Sequence, residues 1–466
     1  MTRIRSIQLV LVLGTLILTA GASVVEADFP ANSPWSFEAI ASLTGGDVGK
    51  HTSIAFNPGT GKPYISYYDE TNGDLRLIYP HATAGNCGPN NEWYCETVDT
   101  DDDVGQYSSI DYFHDDATGE NKIGIAYYDA TNDALKVAIW SVAHPFGWKI
   151  STIDSEGLFG DFVWVGRNAS LKFDFFGRVH VAYSIKHNVS NIRGMFYAHS
   201  VSSGGNCGLN TAAGKWQCDP VASASSADMF ISLGLTDSYY PAIAFSDGFS
   251  GFLNMCVESG GSWPCVVVDV FAGGPVSLAI DQSNLPHMAY YHPLSGELSY
   301  ATYVGFGGNC GYGGVESLYQ CDSLDTIGDV QSQVGMSIAL DLEGYPIIAY
   351  EDASDPTGAS VLNVARPIYA HGSVVGDCGP IVGAHPSWKC TTIDDATQGG
   401  GGGYLYEADF ASVAVDPSGF AAIAYNEYDD FNNEGRLKFA VQEGEGLIFG
   451  DGFENGDTSE WSDVIP

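Results

Sequence analysis

Basic residues are scarce. In 466 residues the chain has 18 Lys+Arg against 57 Asp+Glu, a formal net charge of −39. A surface of that sign repels phosphate, which excludes nucleic acid and anionic membrane as partners. Long apolar runs are also missing. After residue 27 no stretch reaches the ~20 apolar residues that a membrane-spanning helix needs. The usual catalytic signatures are absent as well: there is no G-x-S-x-G, H-E-x-x-H, P-loop or dinucleotide fingerprint. No C-x-x-C occurs, and no histidine pair stands where a zinc site would need it. Disorder is excluded too, because 45% of residues are hydrophobic and only 16% are charged. High glycine (57 residues) with little lysine suits a loop-rich β protein.

The two ends and the cysteines indicate an address. Residues 1–27 read as a secretory signal: Arg3 and Arg5 precede an apolar stretch from Ile7 to Ala20, and Ala20-Gly21-Ala22 offers a cleavage site. The ten cysteines fall into close pairs, Cys87/Cys95, Cys207/Cys218, Cys256/Cys265, Cys310/Cys321 and Cys378/Cys390. Local disulfides in an oxidising compartment are the reading. The expected product is secreted, periplasmic or held at the cell surface, and monomeric.

Internal repetition decides the fold. A segment beginning Ser53-Ile-Ala-Phe, followed by Pro63-Tyr-Ile-Ser-Tyr-Tyr-Asp69 and Asp74-Leu-Arg-Leu-Ile-Tyr79, recurs from Ser109, Ser170, Ser232, Ser277, Ser337 and Ser412. Each copy has period-two hydrophobicity between Gly, Pro, Asn and Asp clusters, the pattern of short strands. Three strands, a, b and c, precede a fourth, d, that opens on an aromatic residue, as in Trp93-Tyr-Cys-Glu-Thr-Val98. Four short strands per unit describe a propeller blade. The seventh copy lacks strand d, but Trp35-Ser-Phe-Glu-Ala-Ile40 matches one at the other end of the chain. The expectation is an all-β, seven-bladed β-propeller over residues 33–442, closed by the N-terminal strand pairing into the last blade. An acidic, glycine-rich tail at 443–466 follows it.

These repeats resemble the seven-bladed propellers of secreted bacterial proteins, grouped loosely with sialidase-like and lectin-like propellers. The tail Asp451-Gly-Phe-Glu-Asn-Gly-Asp-Thr-Ser-Glu-Trp-Ser462 resembles a segment that ends many exported proteobacterial proteins. A sialidase activity would need an arginine cluster and a Ser-x-Asp-x-Gly-x-Thr-Trp turn. Only six arginines follow residue 27, and that turn does not occur.

Strand order puts the a–b turns and c–d loops on one face, and the b–c and d–a loops on the face where the central channel opens. Four cysteine pairs staple the long c–d loops, and Cys256/Cys265, in strands c and d of a shorter blade, should do the same work. Strand b ends at Asp69, Asp129, Ile185, Asp247, His292, Asp352 and Glu427 in blade order. Two readings compete there: aspartates that cap repeated turns, or carboxylates converging on the channel mouth to bind a ligand. Asp99-x-Asp101-x-Asp103 has oxygens at calcium-loop positions one, three and five, but lacks the glycine at six and the glutamate at twelve. Calcium is thus the candidate cofactor. Among aromatics, Phe146 and Trp148 of blade two and Phe162 and Trp164 of the following d–a loop are the first candidates for ligand contact. The expected function is an exported binding module without catalysis, for a glycan or an extracellular protein. The alternative is a glycan-active enzyme, hydrolase or lyase, using carboxylates at the mouth.

Overall fold

The computed structural model describes residues 35–442, apart from segments at 43–45, 143, 156–161, 188–192, 209–214, 224–228, 248–250, 312–316, 329–334, 355–359, 369–374, 383–384, 395–405 and 430–432. The expected signal and tail lie outside the described residues.

Seven antiparallel sheets follow one another along the chain, as the repeat requires. Blade 1 is Val48–Phe56 (a), Pro63–Asp69 (b), Asp74–Pro80 (c) and Trp93–Asp99 (d), hydrogen-bonded in that order. Blade 7 is Tyr406–Val415, Ala421–Asp429 and Glu434–Gln442, with Trp35–Ser42 as its outer strand. Trp35 sits opposite Gln442 and Ser42 opposite Arg436, so the first described strand closes the ring. Blade 6 carries an unforeseen fifth strand, Cys378–Val382, outside His385–Asp394.

The core is not central. It consists of seven apolar clusters, several of which span the seam between neighbouring blades. The closure seam shows the pattern: Ile40 from strand d of blade 7 packs with Ile54, Tyr67 and Trp93 of blade 1 and with Leu437 and Phe439. The repeated serine explains itself here. An innermost strand has no partner on its axial edge, so its N–H groups need other acceptors. Ser53 Oγ accepts from Ile110 N–H of the next blade at 3.1 Å, and the same bond runs from Leu171 to Ser109, Leu233 to Ser170, Leu278 to Ser232, Ile338 to Ser277, and Ile54 to Ser412.

A second stitch joins the seams further out. A tyrosine in the second half of strand b donates to an aspartate at or next to the end of strand d of the preceding blade. The pairs are Tyr127–Asp99, Tyr183–Asp154, Tyr290–Asp269, Tyr350–Asp325 and Tyr425–Asp394, at 2.6–2.8 Å. Where blade 4 has Phe245 instead, it loses the hydroxyl and packs as a plain buried ring.

All five expected disulfides are present: 87–95, 207–218, 256–265, 310–321 and 378–390. The third differs from the rest, which corrects the expectation that it staples a loop as they do. Cys256 and Cys265 stand directly opposite each other on Phe252–Val257 and Cys265–Val270, with Cα atoms 4.1 Å apart, so the bond links two strands already paired. Cys256 is buried, but Cys265 is exposed, alone among the ten cysteines. The reason is its place at the start of an outermost strand. Blade 4 has only a short c–d hairpin there and lacks the Gly-Asn-Cys segment that covers strand d elsewhere. Among the described residues, no helix is long and apolar enough to cross a membrane.

Candidate functional site at the channel mouth

A cavity of about 200 Å3 is walled by all seven innermost strands. Its wall is made by the residues one and two places before each repeat serine. At the second place stand His51, Tyr107, Asn168, Phe230, Pro275, Gly335 and Phe410. Gly335 is required by crowding: a Cβ there would lie 1.8 Å from Ala411 N.

The ring's symmetry breaks at this level. In blades 4, 5 and 6 the first two strands pair in unbroken register, and their wall residues are Phe230, Ile231, Pro275, Val276, Gly335 and Met336. In blades 7, 1, 2 and 3 strand a bulges just before the serine. The bulge turns Phe410, His51, Tyr107 and Asn168 into the left-handed region, with φ of 55, 53, 54 and 51°. That conformation is unfavourable for bulky residues, and strain of this kind concentrates at functional sites. Three aromatic rings meet as a result. His51 lies 4.5 Å from Phe410 and 4.6 Å from Tyr107, centroid to centroid. Burial holds the His51 imidazole down to a pKa of about 3, helped by the neighbouring Lys50 charge.

Charged groups stand on the segment leading into this wall. Lys50 Nζ lies 2.7 Å from Asp47 and also binds Glu70, on the b–c turn of blade 1. Burial pushes the Asp47 carboxyl up, with the Glu70 contact adding to the rise against the pull of Lys50. Glu70 moves the other way, because its bonds to Lys50 and Asp47 outweigh its burial. Asp47 Oδ1 is buried without a hydrogen-bond partner. Asp103 takes the same place in blade 2, accepting from Tyr68 Oη at 2.7 Å. The backbone N–H groups of both aspartates donate to a threonine of their own blade's b–c turn, Thr71 and Thr131.

The candidates from the repeat lie elsewhere. None of the strand b ends lines this cavity, and the polar ones find partners near their own turns or seams. Asp69 accepts from Asn72 N–H at 3.1 Å and faces Arg76, and Asp129 accepts from Asn132 N–H at 2.9 Å and lies 3.5 Å from Lys136. Asp352 accepts from Ser354 N–H. His292 pairs with Asp269 at 3.0 Å, and Glu427 with Lys438 and Arg436. Asp247 is buried at the end of its strand. Short side chains at a tight turn satisfy the nearest donors, which is why the carboxylates turn inward.

Asp99, Asp101 and Asp103 do not fit a calcium ion. Asp99 is taken by Tyr127 and by Lys136 at 2.7 Å, and it accepts from Asp101 N–H; Asp103 is held by Tyr68. Lys136 Nζ sits between Asp99 and Asp129, at 2.7 and 3.5 Å. Among the described residues, no group of three or more His, Cys, Asp or Glu is arranged to hold a metal. Trp164 is buried, with Arg167 and Lys186 each 4.3 Å from its ring. Phe271, which follows strand d of blade 4 on this face, is instead 59% exposed at φ 63°.

No family model matches the chain, and no curated protein does. Solved structures do match. An endo-arabinase from Bacteroides thetaiotaomicron is 13% identical, covering 72% of this chain and 94% of its own, with a TM-score of 0.33. A Penicillium chrysogenum α-L-arabinanase complexed with arabinobiose is 9% identical over 71% and 98%, with a TM-score of 0.40. A Fusarium graminearum α-L-arabinofuranosidase is 9% identical over 70% and 95%, with a TM-score of 0.42. These figures describe a distant likeness of fold. The expectation of a non-catalytic binding module is corrected here: the similar structures named are an endo-arabinase, an α-L-arabinanase and an α-L-arabinofuranosidase.

Proposed function

We propose that this chain is an exported glycan-active enzyme, a hydrolase that works on a neutral sugar end seated at the channel mouth. The observation that carries this reading is the local loss of ring symmetry. Four consecutive blades strain His51, Tyr107, Asn168 and Phe410 into the cavity wall, and the segment leading to His51 carries a carboxyl, Asp47, that shares Lys50 with Glu70 and shifts the opposite way from it. Aromatic rings beside polar groups match a sugar, whose C–H face is apolar and whose rim is hydroxylated. The cavity is small against the ~300–1,000 Å3 of a drug-sized site, so it favours one terminal ring over an internal stretch of polymer. The net charge of −39 favours an uncharged substrate.

In this reading Asp47 is the general acid. Burial shifts it toward the protonated form, and its proton passes to the glycosidic oxygen as the bond to the anomeric carbon breaks. Glu70 tunes Asp47 and does not act as its catalytic partner, since two carboxyls that share a hydrogen bond are too close to flank a glycosidic bond. Asp103, one blade on, supplies the second carboxylate, which takes a proton from the attacking water. The leader at 1–27 and the five local disulfides suit a site of action outside the cell.

Release of reducing ends from neutral polysaccharides, arabinan and xylan among them, tests the proposal alongside chromogenic aryl glycosides. Wild type should cleave at least one, and D47N should lose about 10²–10⁴-fold in rate while keeping its melting temperature. No cleavage across the panel, or full activity in D47N, would overturn it.

A further inference from the structure

The face opposite the mouth carries an aromatic cluster that the repeat does not call for. Five blades make the a–b connection with the same short turn, closed by an N–H to C=O bond from its fourth residue to its first. That fourth residue is Gly177, Tyr239, Asn284, Gly344 and Gly419 in blades 3 to 7, all at positive φ. Glycine and asparagine suit this conformation; tyrosine does not. Tyr239 is the one bulky residue at this place, held at φ 63°.

Its neighbours are as unusual. The turn of blade 3 has Phe175 and Phe176, 70% and 63% exposed, where blades 4 and 5 have Asp237-Ser238 and Gln282-Ser283. Phe175 stacks on Tyr239 with 21° between the planes and 6.0 Å between the centroids, and Phe176 meets Tyr239 edge-on at 5.7 Å. Tyr240 adds a half-exposed ring. The platform is stiff. Asp174 accepts from Phe176 N–H and Arg178 N–H, and Asp237 and Asn284 bond the turns of blades 4 and 5 together. Its rim carries a charged group, with Arg178 over Phe176 at 5.2 Å.

We infer that Phe175, Phe176, Tyr239 and Tyr240 form a second carbohydrate-binding site, which holds a neutral polysaccharide by stacking on its sugar rings. Flat rings with hydrogen-bonding groups at their edge complement a chain of pyranose or furanose rings, apolar on the face and hydroxylated around it. A stable protein interface needs ~1,200 Å2 or more, and four rings on two turns supply only part of that. A second copy of this chain would bring another 39 negative charges against the first. A neutral polymer meets neither obstacle. The inference stands apart from the chemistry at the mouth, because binding here needs no turnover.

Affinity electrophoresis of the full chain through gels containing neutral polysaccharides, arabinan, xylan, mixed-linkage β-glucan and galactomannan, tests it. At least one polymer should retard the wild type, and F175S/Y239G should weaken that retardation about tenfold or more. Glycine relieves the left-handed strain, so Y239G alone should keep or raise the melting temperature while binding falls; a merely structural tyrosine would show no such split. Tyr107→Ala, which removes a ring from the wall of the mouth cavity, should be retarded as wild type is, which separates this site from the mouth. Unchanged retardation in F175S/Y239G, no retardation by any polymer, or a dimer that those substitutions dissolve would each overturn the inference.

Discussion

At the scale of single residues, the molecule turns on what a small side chain does for a backbone N–H. The repeat serine is the case in point. Ser232 Oγ accepts from Leu278 N–H at 2.9 Å, on an axial edge where no strand can pair. Removing the acceptor leaves a buried donor unsatisfied, which costs about 1–3 kcal/mol. Ser232→Ala should lose that much in urea unfolding, while Ser283→Ala, on an exposed turn, should stay within about 0.5 kcal/mol of wild type. Equal losses would remove the stitch from the account. The same logic explains what the acidic positions were. Asp69, Asp129 and Asp352 repeat because the turn repeats, and each serves the N–H nearest to it. That much was legible, since a short side chain in a tight turn has few other choices. The bonds from Tyr127 to Asp99 and from Lys136 to Asp99 were not, because they cross a seam that no single blade encodes.

At the scale of elements, edges govern the design. A propeller strand d would expose a row of unpaired groups. The Gly-Asn-Cys sequence covers part of it: Asn86 donates to Cys95 C=O at 3.0 Å and accepts from Cys95 N–H at 2.7 Å, as a neighbouring strand would. Asn206 and Asn309 do the same against Cys218 and Cys321. Asp377 keeps only the acceptor role, toward Cys390 N–H, and Lys389 binds its carboxylate. Cys265 has no such cover and stands exposed. The cysteine pairing was plain from spacing, but this side-chain strand was not, because it depends on which way an amide turns. Ring closure was readable for the opposite reason: Trp35 to Ile40 has the strand d pattern with no blade of its own. Deleting residues 35–42 uncovers Glu434–Gln442 and the buried faces around Trp93 and Phe439. The truncated chain should aggregate or melt many degrees lower, and a synthetic peptide spanning 33–42 should restore it. A monomeric truncation with an unchanged melting temperature would contradict the closure.

At the scale of the whole molecule, seven near-equivalent blades build a symmetric frame, and function lies where the symmetry fails. Both proposed sites follow that rule. At the mouth the departure is the bulge in four blades; on the opposite face it is a tyrosine where glycine or asparagine belongs. Each was present in the repeat alignment, two places before the serine or four places into the turn. Neither could be weighted there, since left-handed φ angles and an inward bulge appear only when the ring is assembled. Asp47 and Asp103 both stand before Val-Gly at the start of an innermost strand, and their setting separates Asp47, beside Lys50 and Glu70, from Asp103, beside Tyr68.

The central claim is that the cavity at the start of the innermost strands is where a sugar is held for cleavage. A crystal structure of D47N with a short neutral oligosaccharide tests it most directly. The account predicts a terminal sugar ring against His51, Tyr107 and Phe410, with residue 47 facing its glycosidic oxygen. A sugar found only away from that cavity, or one seated there with no carboxylate near the glycosidic bond, would contradict it.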